Sequence, residues 1–185
     1  MKKVLFLYTE TAPYFMACLD ALVAPTGARI ELVRWPVNAE APFDTGAHQG
    51  ITIHDRSAFD DQALLAFALK FDPQLVIASG WVDKGYLRVC RAMRRKGVPT
   101  SMNLDTAWRG GPKQLLSTVL ARFWMPRTYS HIWATGSRQV RYARMLGLRD
   151  TGTTLIVASH DPAMREAAPD AFIELGATVS GGRAS

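Results

Sequence analysis

The stretch DPQLVIASGWVDKGYLRVCRAMRRKG, Asp72 to Gly97, decides the fold. An apolar run from Leu75 to Ala78 is led in by Asp-Pro and halted at Ser79-Gly80; a helical pattern then starts at Lys84 and stops at Gly97. A short run that is apolar throughout is a strand covered on both faces, and a glycine just past a helical pattern is a C-terminal stop. The stretch is therefore one strand, one turn and one helix.

The same unit recurs on both sides. KKVLFLY (2–8) predicts a first strand, and Pro13 opens a helix, PYFMACLDALVA, with Tyr14, Cys18, Leu19 and Leu22 on one side. ARIELVRW (28–35) and ITIHD (51–55) are the next strands, and Asp60 or Asp61 caps the helix DQALLAFALKF. Downstream, VPTSMNL (98–104) is a strand, PKQLLSTVLARFW (112–124) a helix, SHIWAT (130–135) a strand, and SRQVRYARMLG (137–147) a helix with Ser137 as N-cap. Strict alternation requires parallel pairing through right-handed crossovers. The expectation is an α/β fold: a doubly wound, mostly parallel, Rossmann-like sheet over residues 1–149, with residues 150–185 as a short β-α-β-like tail.

Bulk properties fit that picture and exclude several others. The chain has 185 residues, 48% hydrophobic and 21% charged, which is globular and of one-domain size. Cys18 and Cys90 fall in helical segments without metal-ligand spacing, so they read as buried free thiols; no metal site and no bound cofactor is expected. GxGxxG and the P-loop pattern are both missing from the loops after strands. The apolar run after Lys2-Lys3 is too short for a signal peptide, and no stretch has the length of a transmembrane helix, so the expected location is cytoplasmic. A net charge of +6 favours anionic partners.

Ligands of doubly wound sheets gather at the carboxyl ends of the strands, so the loops there carry the functional candidates. In SGWVDKGY, Trp81 offers a flat face and Asp83 a carboxylate; the alternative reading makes Trp81 a lid on the core and Asp83 an N-cap. In NLDTAWRGGPKQ, Asp105 and Trp108 repeat the pair, while Arg109 and Lys113 flank a Gly-Gly that opens a helix. Tryptophan stacks on sugar rings and carboxylates grip hydroxyls, so a polar, sugar-like ligand fits. WPVNAEAPF brings Trp35, Asn38 and Glu40 as an acceptor flap or as a plain surface connection. The helix 112–124 carries Leu115, Leu116, Val119, Leu120, Phe123 and Trp124 with Lys113, Arg122 and Arg127 at its margins; it reads as a core helix or as an attachment to anionic lipid. His54 at a strand end reads as structural.

Taken in order, YFMACLDAL, WPVNAEAPF, ITIHDRS, ASGWVDKGYLRVCR, DTAWRGGPKQ and YARMLG resemble glycosyltransferase family 4, whose retaining enzymes have two facing Rossmann-like domains. The resemblance covers about residues 1–149 and implies the N-terminal, acceptor-side half. It further implies a nucleotide-sugar donor and a sugar or lipid-linked acceptor, with Asp105 at the catalytic position and Trp81, Asp83, Trp108, Arg109 and Lys113 binding substrate. The donor half of the family, with its E-x7-E pair, has no counterpart before the chain stops at GGRAS, as truncation, frameshift or fusion would each leave it. The chain alone is thus expected to be inactive.

Residues 152–176, GTTLIVASHDPAMREAAPDAFIELG, resemble the C-terminal end of ABC-transporter ATPases, with His160 at the switch position. Alternatively, ASHDPAM stands where the family's interdomain hinge reads Tyr-Ser-x-Asp-Val. No ATPase activity is expected without a P-loop. The partners that remain are an anionic membrane surface, reached peripherally from the cytoplasmic side, and a second copy of the chain; the scattered arginines give no expectation of nucleic acid. The competing class is a non-catalytic α/β binding or oligomerisation module.

Overall fold

A computed structural model describes residues 2–36, 48–106, 111–148 and 154–157, the side chains of 112–114, 137 and 154–157 excepted. The elements are β1 (Lys3–Tyr8), α1 (Pro13–Thr26), β2 (Arg29–Arg34), β3 (Ile51–Asp55), α2 (Asp61–Phe71), β4 (Leu75–Ala78) and α3 (Lys84–Arg95). They continue with β5 (Thr100–Leu104), α4 (Pro112–Thr128), β6 (His131–Ala134), α5 (Ser137–Met145) and β7 (Thr154–Val157). The strands form one seven-stranded sheet in the order β3-β2-β1-β4-β5-β6-β7. Every pairing is parallel. Thr154–Val157, in the stretch read as a tail, supplies the seventh strand, with Ile132 opposite Leu155.

The apolar runs follow from double coverage. Along β1, Val4, Phe6 and Tyr8 pack with Ile30, Leu32, Ile51 and Ile77 under Met16 and Leu19 of α1. Leu5 and Leu7 point the other way, into the larger core with Val76, Met102 and Ile132 beneath α2, α3, α4 and α5. A strand buried on both faces has no room for the polar half of an alternating pattern.

Local signals set most of the boundaries. Asp60 caps α2, its carboxylate accepting from the backbone of Gln62 at 2.8 Å and Ala63 at 2.7 Å. Asp83 caps α3 through the Tyr86 amide, at 3.1 Å. Gly97 turns the chain after α3 with φ of 80°.

Four expectations are corrected. Ser137 is the first residue of α5, and Gly136 holds the N-cap position without a side-chain bond. The buried side of α1 carries Met16 and Leu19, while Tyr14 and Leu22 face solvent. Cys90 is buried but Cys18 is exposed. On α4 the side turned to the sheet is Thr118, Ala121, Met125 and Thr128, so Leu115, Leu116, Val119, Leu120 and Phe123 are exposed, and the core reading fails for those five. Small and polar residues at helical spacing form the packed face here, and the bulky stripe is the outer one.

Candidate functional site

The sheet order reverses between β1 and β4, the position where a doubly wound sheet opens a crevice at its carboxyl edge. The loop ends there are tied by side chains. The Thr9 amide donates to Ser79 Oγ at 2.9 Å. The buried Tyr86 hydroxyl donates to the carbonyls of Tyr8, at 2.9 Å, and Val33, at 3.1 Å. Tyr129 donates to the Gly80 carbonyl at 2.7 Å. Gly80 itself has φ of 80°, a conformation that suits glycine, so the turn after β4 depends on its missing Cβ.

Two carboxylate clusters stand on this edge, and they differ in how much of their bonding capacity is used. The first is built on Asp83. Besides capping α3, its carboxylate accepts from Arg56 Nε at 2.9 Å and from Trp35 Nε1 at 2.9 Å. Arg56 also donates to Asp61 Oδ1 and to the Phe59 carbonyl, both at 2.5 Å. Burial pushes the Asp83 carboxyl up, but the bonds from Arg56, Trp35 and the Tyr86 amide outweigh it and hold the pKa below the ordinary carboxylate range. Trp81 is half-buried against the core, edge-on to Tyr142 with ring centroids 5.9 Å apart.

The second cluster joins the ends of β1 and β5. Asn103 Nδ2 donates to the Tyr8 hydroxyl at 3.0 Å, and Asn103 Oδ1 is buried with no partner among the described residues. Burial, with the nearby Asp105 carboxylate adding to it, raises the Tyr8 pKa to about 12 against the opposing bond from Asn103, so the phenol stays neutral. Asp105 is exposed; its backbone carbonyl accepts from Gln139 Nε2 at 2.8 Å, and Thr106 Oγ1 donates to its carboxylate at 3.2 Å. An open carboxylate beside a neutral phenol and an amide can exchange hydrogen bonds with a hydroxyl-rich ligand.

Of the residues singled out in the sequence, Trp35 and Asp83 meet directly and Asp105 sits in the other cluster. Trp108, Arg109, Asn38, Glu40 and His160 lie outside the described residues, and Lys113 is described only as backbone in α4. Tyr8, Asn103 and Gln139 were missed. The available signal was the polar Asn103 inside the strand SMNL, one residue from its carboxyl end. His54 is structural, its Nε2 2.6 Å from the buried Glu31. Among the described residues no cluster has the composition of a metal site, and no helix is long and apolar enough to cross a membrane.

Neither a protein-family model nor a curated protein matches the sequence. Two of the solved structures that match superpose over most of this chain. MurG of Acinetobacter baumannii superposes with a TM-score of 0.52 at 12% identity, over 85% of this chain and 45% of its own. Alr3699/HepE of Anabaena, solved with UDP and glucose, superposes with a TM-score of 0.56 at 15% identity, over 91% of this chain and 50% of its own. The chain shares with both an α/β, Rossmann-like fold. At such identities the likeness concerns the fold alone, and the chain spans about half the length of each of these proteins.

Proposed function

We propose that this chain is the N-terminal, acceptor-side half of a retaining glycosyltransferase that uses a nucleotide-sugar donor. The observation that carries the reading is the exposed Asp105 near the hydrogen-bonded Tyr8–Asn103 pair, on the carboxyl edge of a glycosyltransferase-like sheet. The acceptor, a sugar or a lipid-linked sugar, lies against that edge with Asp105 accepting from its attacking hydroxyl and orienting it. In the assembled enzyme the hydroxyl oxygen bonds to the anomeric carbon as the carbon–phosphate oxygen bond breaks. The hydroxyl proton passes to the leaving phosphate oxygen on the same face. Cations that stabilise the leaving diphosphate come mainly from a second, donor-binding half. Trp81, in the turn whose end Asp83 fixes by capping α3, is assigned to the acceptor; the assignment of Trp108, Arg109 and Lys113 to it rests on the sequence resemblance.

Saturation-transfer NMR of the purified chain against simple sugars and UDP-sugars tests this. Sugar signals that disappear in Asp105→Ala support the reading, with negligible turnover of any nucleotide sugar by the chain alone. Absence of any sugar response would remove the acceptor role, and robust turnover would overturn the half-enzyme reading. The second reading, a non-catalytic interaction module, has one observation in its favour, the exposed apolar stripe of α4.

A further inference from the structure

We infer that the outward face of α3, α4 and α5 docks flat on an anionic lipid bilayer. This goes beyond the transfer reading and does not depend on it. Leu115, Leu116, Val119, Leu120 and Phe123 follow one another at helical spacing along α4 and are 49–69% exposed. A contiguous stripe of large apolar side chains on the outside of a folded domain marks an interaction surface.

The charge around that stripe says what covers it. From Lys84 to Arg149 the chain has fourteen lysines and arginines and a single acidic residue, Asp105, although the whole protein is only +6. None of α3, α4 and α5 contains an aspartate or glutamate. These helices pack side by side with α4 in the middle. On one flank Arg88 and Arg95 of α3 are exposed, and Arg91 lies 5.3 Å over the Trp124 ring of α4. On the other flank Arg138, Arg141 and Arg144 of α5 are exposed. An apolar ridge between two rows of cations matches the bilayer interface, where acyl chains take the ridge and acidic headgroups take the rows.

The same arrangement disfavours the other occupants. A second copy related by two-fold symmetry would bring the arginine rows into each other's field. Nucleic acid would match the cations but leave five aliphatic and aromatic side chains against a phosphate backbone. α4 also starts just after the β5 loop that holds Asp105, so its apolar stripe begins near the carboxyl edge of the sheet. Docking there places that edge beside the headgroups.

Flotation of the full chain with phosphatidylcholine vesicles, with and without phosphatidylglycerol, reads the proposal. Binding should require the anionic lipid and weaken with salt. Arg141→Gln with Arg144→Gln should weaken it about 30-fold, at roughly fivefold per cation near the surface. Leu116→Ser with Phe123→Ser should lower it at least about tenfold while leaving the arginines in place. All four positions face solvent, and unchanged circular dichroism and melting temperature confirm that the variants fold. Absence of flotation overturns the proposal, as does flotation indifferent to the α4 pair. Light scattering that shows a dimer broken by the α4 pair, without vesicle binding, assigns the face to a second copy instead; salt-sensitive retention on RNA without vesicle binding assigns it to nucleic acid.

Discussion

Replacing Asp83 by alanine removes two kinds of support at once, and the structure sets the size of each. The α3 N-cap bond to the Tyr86 amide is lost, which costs about 1 kcal/mol. Arg56, only 15% exposed, loses its Nε partner but keeps Asp61 and the Phe59 carbonyl, so the cost of its orphaned donor is about 1–3 kcal/mol. Trp35 is exposed enough to turn its indole N–H to water and adds little. The sum, about 2–4 kcal/mol, corresponds to roughly 5–12 °C in melting temperature for a chain of this size. Asp83→Asn keeps the cap and loses the ion pair, so it should fall between. The acid limb gives an independent check. Because the folded carboxyl sits below its unfolded value near ~3.9, its stabilisation is complete above that pH and disappears as pH falls through the folded value. Urea melts from pH 6 downward should therefore show a steeper loss in the natural protein than in Asp83→Asn. A loss below about 1 kcal/mol for Asp83→Ala at neutral pH, or identical acid limbs, would refute the hub.

Gly85 tests the same hub with the opposite generic expectation. Glycine to alanine inside a helix normally stabilises by up to about 1 kcal/mol, but a Cβ here would meet the Arg56 guanidinium and lie 2.6 Å from Asp61 Oδ1. Gly85→Ala should lower stability by about 1–2 kcal/mol, and a higher melting temperature would contradict the packing. The thiols should separate cleanly under an aromatic disulfide reagent at pH 8. Cys18 reacts in the folded protein, whereas Cys90, buried and pushed up to about 12, reacts only on unfolding. Tyr86→Phe removes the hydroxyl shared by the Tyr8 and Val33 carbonyls and should cost about 1–2 kcal/mol in a denaturant melt, since the Tyr8 carbonyl keeps the Trp35 amide at 3.2 Å.

The parallel order was legible because each signal was local and each agreed with the next. Asp60, Asp83 and Gly97 announce ends, and the doubly apolar β1 and β4 announce burial on both faces. What could not be read was which side of an ambiguous helix faces the sheet. In α4 the hydrophobic residues suggested a core face, yet the sheet takes Thr118, Ala121 and Met125, because close approach of helix to strand favours small side chains and Met125 fills what is left. The same blindness hid the site. Arg56 lies 27 positions from Asp83, and Tyr8 lies 95 from Asn103, so the sheet order rather than spacing creates both clusters.

That difference between the clusters yields the sharpest test of where a ligand goes. Asp83 and Asp105 look alike in sequence, each in a tryptophan-bearing loop after a neighbouring strand. In the fold, the Asp83 carboxylate is occupied by Arg56, Trp35 and the Tyr86 amide, and it is 9% exposed. A ligand hydroxyl would have to displace bonds that hold α2, α3 and the β4 loop together. Asp105 is exposed, holds only the neighbouring Thr106 hydroxyl among the described residues, and lies close enough to the Tyr8 phenol to raise its pKa; Tyr8 in turn holds the Asn103 amide, whose Oδ1 has no partner among those residues. Asp105→Asn should leave the melting temperature within about 2 °C, as a surface change worth less than about 0.5 kcal/mol does, while lowering the sugar response at least about tenfold. Asp83→Asn should do the reverse, lowering stability with the sugar response intact in the folded fraction. If both variants lose binding in proportion to their loss of stability, the two carboxylates serve one structural role and the cleft does not lie at Asp105.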